Sequence, residues 1–352
     1  MSETEVQAPP APAASAPAPA TSPPATFRAE KQSSFRALFG DAFPDTPVKH
    51  WEPGQYTPET DPNYHFRQDL VLPAMLWIGG IKKNLYLSGP TSAGKSSFIE
   101  QLGARLGLEV FRMPCHKDIE MLDFTGGMEL TQSGTEYIAG ALIMAMERGG
   151  ILLIDEKDLL NPSVAAALHT VLDGKPLYVP QAKRWIAPHR MFRIAATGNS
   201  AGLGDATKLY KGVNRMNVAT IRRYLHLKVD YMSADEETAL LKRILPKLSD
   251  TAREIMLRVA NMTRAAFVGG LHEVGGEEQL DVVISTDTLI TWGKIVLVYE
   301  KSPAMKGKDL LAESLHPALL NCLLDRDNVN KAHAILGFLE RVKGELGKAG
   351  SP

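Results

Sequence analysis

Residues 89–97 read GPTSAGKSS and follow directly on the apolar run NLYLS. Glycine loses more freedom on ordering than any other residue, so two of them bracketing four small residues mark a place where backbone must come close to something. The stretch satisfies G-x-x-x-x-G-K-[ST] at Gly89, Gly94, Lys95 and Ser96. Between a strand and a helix, such a loop turns its N–H groups onto phosphate oxygens, and the helix N-terminus adds the positive end of its dipole. Pro90, Thr91, Ser92, Ala93 and Ser97 are expected to complete the cradle. Lys95 is expected to reach the β/γ phosphates and the Ser96 hydroxyl to serve Mg²⁺.

The surrounding pattern gives that loop its context. NLYLS (84–88) reads as a strand, and KSSFIEQLGARLG places Phe98, Leu102 and Leu106 on one helical face. EVFRM, ILLID, MFRIAATGN and YLHLKVDY supply four more strands, with helices between them. Five strands alternating with helices imply a parallel sheet covered on both faces. GMELTQSGTEYI alternates about SG as a hairpin would, and PSVAAALHTVLDG reads as one helix from Pro162 to Gly174. From Ser233 onward the pattern is helical, opening on a capping box of Ser233 and Glu236. The expected organisation is a disordered Ala/Pro-rich tail (1–33), an extended aromatic and proline strap (34–66), an α/β domain (67–232), a smaller all-helical domain (233–346) and a frayed end (347–352).

Three further positions carry chemistry. ILLIDE ends a buried strand with Asp155 and Glu156, at the sheet edge where α/β proteins assemble their sites. Asp155 is expected to hold Mg²⁺ through water and Glu156 to orient and activate the attacking water; a solvated acidic turn is the plainer reading. Asn199, beyond FRIAATG, can position water against a γ-phosphate, or simply form a turn. Arg222 and Arg223, ahead of the fifth strand, suit a finger reaching a neighbouring subunit's nucleotide, though adjacent arginines also serve solubility.

Composition bears on other classes. The formal net charge of −1 creates no global basic field for nucleic acid or anionic membrane. The basic-aromatic loop QAKRWIAPHR is the one place to test for nucleic acid. Cys115 and Cys322, far apart, fit a reducing cytoplasm rather than a disulfide scaffold, and they lack a metal-ligand spacing. The longest apolar run, VLPAMLWIGGI, is too short to span a bilayer, and the N-terminus lacks the features of a secretory signal. A cytoplasmic location is expected.

Over residues 61–300 the chain resembles AAA+ ATPases, specifically the MoxR-like branch that includes the CobS-type ATPase subunit of cobaltochelatase. TDPNYHF, GPTSAGKSSFIEQLGARLG, DFTGG, IAPHRMFRIAATGNSAGLGDATKLYKG and STDTLITW carry the likeness. It implies an AAA+ P-loop NTPase domain with a helical lid, ATP and Mg²⁺ as cofactors, a homo-hexameric ring, and hairpins that contact partners. A partner with a von Willebrand A-type metal-site domain commonly accompanies such ATPases, and in cobaltochelatase ATP turnover supports cobalt insertion by a separate subunit.

Two departures stand out. Where the family's helical domain carries an arginine near the γ-phosphate, this chain has Asp287 in STDT. Lys294 is a candidate substitute, and an acid is welcome near a helix N-terminus in any case. Where relatives have Asp-Arg before the fifth strand, this chain has Arg222 and Arg223; Arg223 aligns with the finger and Arg222 is its rival. The readings that remain are a remodelling ATPase ring, an ATP-gated scaffold with slow turnover, and a nucleic-acid-directed motor.

Overall fold

The computed structural model describes residues 27–132, 134–200, 217–268, 280, 282–323 and 329–349. The chain enters through an antiparallel pair, β1 (Glu30–Ser34) and β2 (Pro47–Trp51), joined through the short helix α1 (Phe35–Phe39). Ser34 caps that helix by accepting the Ala37 N–H at 3.2 Å. The first strand starts at Glu30, inside the stretch expected to be disordered, and the strap that follows packs on the domain with β1, α1 and β2 as its regular elements. The cause is aromatic burial: Phe39, Phe43, Trp51 and Phe66 share one apolar cluster with Trp77. Burying such side chains contributes about 1.5–3 kcal/mol each against the ordering entropy of the segment.

Next come α2 (Gln68–Ile78), β3 (Asn84–Ser88), α3 (Lys95–Leu106), β4 (Val110–Pro114) and α4 (Met121–Thr125). The hairpin β5 (Gly126–Thr131) and β6 (Gly134–Ala139) pairs Thr131 with Gly134, and α5 (Ala141–Arg148) leads into β7 (Ile151–Asp155). Helices α6 (Pro162–Ala167) and α7 (His169–Leu172) follow where one helix was expected. Leu168 between them keeps right-handed helical angles (φ −70, ψ −14), and its N–H still donates to Val164 O at 3.1 Å. A second hairpin, β8 (Leu177–Val179) and β9 (Arg184–Ile186), precedes β10 (Arg193–Gly198), α8 (Val218–Ile221) and β11 (Leu225–Lys228).

The five-stranded sheet runs β11-β3-β10-β7-β4, and every pairing in it is parallel. Alternation along each strand feeds two cores. Leu85, Leu87, Ile151, Leu153 and Ala195 join the cluster under α2 and α3. Tyr86, Leu152, Ile154, Ile194 and Ala196 join the cluster under α5, α6 and α7. A sheet buried on both faces needs continuous apolar strands, which is how ILLID reads.

The helical unit comprises α9 (Ala234–Ile244), α10 (Asp250–Val268), α11 (Thr286–Tyr299), α12 (Leu310–Ala318) and α13 (Val329–Ala349). Its entry is the expected capping box, with the Ser233 N–H donating to Glu236 at 2.9 Å and the Glu236 N–H to Ser233 Oγ at 3.3 Å. Trp292 sits fully buried at its centre and donates its indole N–H to Ser314 Oγ at 2.9 Å. Helix α13 continues past the expected fraying point to Ala349, and Leu346 packs on this core. Among the described residues no helix is long and apolar enough to cross a membrane. The AGLGDATKLYKG part of the family-like stretch, residues 201–212, lies outside the described residues.

Candidate active site

Parallel strands all end at the same edge, so side chains remote in sequence meet there. Ser88 pairs with Gly198 and Pro114 with Asp155, so the loops after β3, β10 and β7 leave the sheet side by side. Two glycines shape the loop after β3 for different reasons. A Cβ at Gly89 would lie 1.8 Å from the Val229 carbonyl oxygen, so the chain leaving β11 forbids a side chain there. A Cβ at Gly94 would make only an ordinary contact with Ser97 Oγ at 3.7 Å, but Gly94 adopts φ +85, the left-handed conformation that starts α3. Ser92 is also left-handed (φ 56), a conformation that costs a non-glycine residue on the order of 1–3 kcal/mol.

Lys95 is buried at the first turn of α3, and its ammonium donates to Gly89 O at 2.9 Å, Pro90 O at 2.7 Å and Asn199 Oδ1 at 3.0 Å. Burial pushes its pKa down to about 8, against the opposing pull of Asp158, Asp155 and Glu156. Ser96 donates its hydroxyl to Asp155 Oδ1 at 2.5 Å, and Thr197 of β10 donates to the same oxygen at 2.6 Å. Arg112 of β4 takes the other oxygen, through Nε at 2.9 Å and through Nη2. Burial alone would raise the Asp155 pKa; the hydrogen bonds from Ser96, Thr197 and Arg112 outweigh it and hold the carboxyl below its ordinary range.

Glu156 leaves β7 in a left-handed conformation (φ 54), its N–H donating to Thr197 Oγ1 at 3.0 Å while its side chain stays exposed. That turn projects the carboxylate out of the sheet beside the lysine loop. Asp158, almost fully buried, accepts the Asn199 N–H at 2.9 Å and thereby holds the turn that aims Asn199 at Lys95. Burial raises its pKa. Sequence reasoning missed Arg112, Thr197 and Asp158. The available signals were a third acid in DEKD, a threonine in TGN, and a charge inside the strand EVFRM.

A cavity of about 420 Å³ opens beside the loop, between the α/β unit and the helical unit. Ser92, Gly94 and Ser97 form one wall, Tyr64 and His65 another, and Thr286 with Asp287 a third. Tyr231, at the passage into the helical unit, donates its hydroxyl to Thr91 O at 2.9 Å, and its ring lies 4.7 Å from the Arg264 guanidinium. Arg264 in turn holds Glu237 through contacts of 2.7 and 2.9 Å, and Thr286 donates to Glu237 at 2.6 Å. A chain of contacts therefore links the loop backbone to the start of α11. Asp287 lies in the first turn of α11 and lines the cavity. Lys294, the expected substitute cation, is exposed further along α11 and is not among the described residues lining that cavity.

Arg223 and Arg222 differ in their commitments. Arg223 pairs with Asp173 at 2.7 Å and donates to Ala219 O at 2.8 Å. The exposed Arg222 guanidinium makes no ion pair among the described residues; its backbone carbonyl accepts from Lys82 at 2.7 Å.

This set fits a magnesium triphosphate. Ser96 donates its proton to Asp155, which leaves the hydroxyl lone pairs for a hard cation, and the buried ammonium and the glycine-shaped loop suit phosphate oxygens.

Residues 84–224 match the AAA domain of the dynein-related subfamily. The aerobic cobaltochelatase subunit CobS of Sinorhizobium sp is 32% identical over 272 residues, covering 74% of this chain and 79% of that protein. The denitrification regulatory protein NirQ of Pseudomonas aeruginosa is 27% identical over 242 residues, covering 68% of this chain and 86% of its own. The RuvB Holliday junction branch migration motor of Thermotoga maritima superposes with a TM-score of 0.45 at 17% identity, over 74% of this chain and 69% of that one.

Proposed function

Because this chain belongs to the AAA+ ATPases, in the MoxR-like branch with CobS, we propose that its ATP cycle drives a homo-hexameric ring that remodels a partner protein. The family's cofactors are ATP and Mg²⁺, and ATP hydrolysis is its activity. The observation that carries the reading is the meeting of Lys95, Ser96, Asp155 and Asn199 at one strand edge.

In this reading residues 89–97 hold the phosphates, and Lys95 offsets their charge. Ser96 and Asp155 hold Mg²⁺. Glu156 takes a proton from the attacking water as the new bond to the γ-phosphorus forms and the bond to the bridging oxygen breaks, giving ADP and phosphate. Asn199 positions that water. Arg223 reaches the neighbouring subunit's nucleotide after leaving Asp173, and exposed ion pairs of this kind hold only weakly. Arg222 is its rival. The partner carries a von Willebrand A-type metal-site domain, and the likeness to CobS supports metal insertion as the process served.

Light scattering and phosphate release test this together. A hexamer with ATP is expected, with phosphate release that rises when the partner is added. Glu156→Gln should keep assembly and lose turnover by about 100-fold or more. A monomer at every nucleotide concentration contradicts the ring. Asp287 on the cavity wall favours a second reading, an ATP-gated scaffold, since its charge opposes phosphate. Equal phosphate output from wild type and Glu156→Gln, with assembly intact, selects that one.

A further inference from the structure

The Asp155 carboxylate is saturated. An ionised carboxylate offers about four lone-pair sites. Here Ser96 and Thr197 take one oxygen, at 2.5 and 2.6 Å, and Arg112 takes the other through two nitrogens. A metal-bound water is a hydrogen-bond donor, so it needs one of these four to leave. Ser96 must stay, because its hydroxyl is itself the expected metal ligand and its proton has to go to Asp155. Thr197 is almost fully buried on β10, and its oxygen also accepts the Glu156 N–H at 3.0 Å. Arg112 is the exception. Its side chain is 50% exposed, and its Nη1 already contacts a second carboxylate, Glu100 of α3, at 3.1 Å.

We propose that Arg112 is a built-in counter-cation that competes with the divalent metal for Asp155, with Glu100 as the partner that receives it on release. The inference rests on the assignment of Ser96 and Asp155 to Mg²⁺. Arg112 thus acts as a positioning residue that sets the metal requirement of the site. The guanidinium suits this role because it binds a carboxylate through a planar fork and keeps its charge at any working pH. Without metal it keeps a partly buried carboxylate from standing unpaired. With metal, the same positive charge is redundant, and mutual repulsion favours the Glu100 position.

The test is a titration of Mn²⁺ into the full-length protein saturated with ADP, read by electron paramagnetic resonance, with ADP affinity in EDTA measured alongside by calorimetry. Arg112→Gln is expected to tighten Mn²⁺ by about fivefold, the coupling a half-exposed ion pair supports, and to leave metal-free ADP affinity unchanged. Glu100→Gln is expected to weaken Mn²⁺ in the wild-type background and to have no effect in the Arg112→Gln background. This separates the exchange from a simple loss of negative charge near the metal, which would persist in both. Unchanged or weaker Mn²⁺ binding in Arg112→Gln, with ADP binding intact, overturns the counter-cation. Failure of the wild-type protein to bind ADP overturns the site assignment beneath it.

Discussion

The Lys95 ammonium and the Asn199 side-chain oxygen lie 3.0 Å apart across 104 residues of sequence, joined because β3 and β10 are parallel neighbours. Asn199 is therefore oriented from two directions, by Lys95 at its side chain and by Asp158 at its N–H. A residue held in this way and used only to place water should matter to turnover more than to binding. Asn199→Ala is expected to lower kcat by about 10- to 100-fold, with ADP affinity changed less than about threefold. Equal losses in both, by steady-state kinetics and calorimetry, would make Asn199 a binding residue.

The finger assignment has a subunit-mixing test. Arg223→Ala and Lys95→Ala chains are each expected to be inactive alone. Mixed rings contain interfaces that pair an intact lysine loop with an intact arginine, so phosphate release should partly recover and peak near equal proportions. Recovery with Arg222→Ala but not with Arg223→Ala would move the role to Arg222, whose side chain is uncommitted among the described residues.

The Arg264–Glu237 pair is buried on both sides, at 5% and 0% exposure, and ties the helical unit to Thr286 and Tyr231. Glu237→Ala leaves a buried guanidinium without its carboxylate and is expected to cost about 3–5 kcal/mol. Glu254→Ala removes only an exposed pair with Arg258 and should cost less than about 1 kcal/mol. Thermal melts of the two variants check this, and similar midpoints would contradict the burial.

The two cysteines should behave differently. Cys115 is buried, and that burial pushes its thiol up to about 12, whereas Cys322 is exposed. At pH 8 a disulfide reagent is expected to titrate one thiol per native chain quickly and the second only after denaturation. Two fast thiols in the native protein would show that the region around Cys115 opens readily.

Sequence alone goes furthest where the chemistry is local. The 89–97 loop, the five strands and the Ser233 capping box depend on neighbours a few residues away, so their patterns read directly. The pairing of β1 with β2 at the aromatic strap did not, because its support comes from Trp77 and from strands that follow it, and proline-spaced aromatics carry no period. Arg112 and Thr197 reach Asp155 from 43 and 42 residues away, through strand register that no local pattern encodes. Lys294 illustrates the same limit. Its place on α11 was readable, but its absence from the described cavity lining follows from how the helical unit docks.

Calorimetry with ADP and a slowly hydrolysed ATP analogue, on wild type and Lys95→Ala, probes the nucleotide assignment at its root. One nucleotide per chain should bind the wild-type protein, and the substitution should abolish or strongly weaken that binding. Equal heats from both proteins, or none from the wild type, would mean that residues 89–97 do not hold a nucleotide.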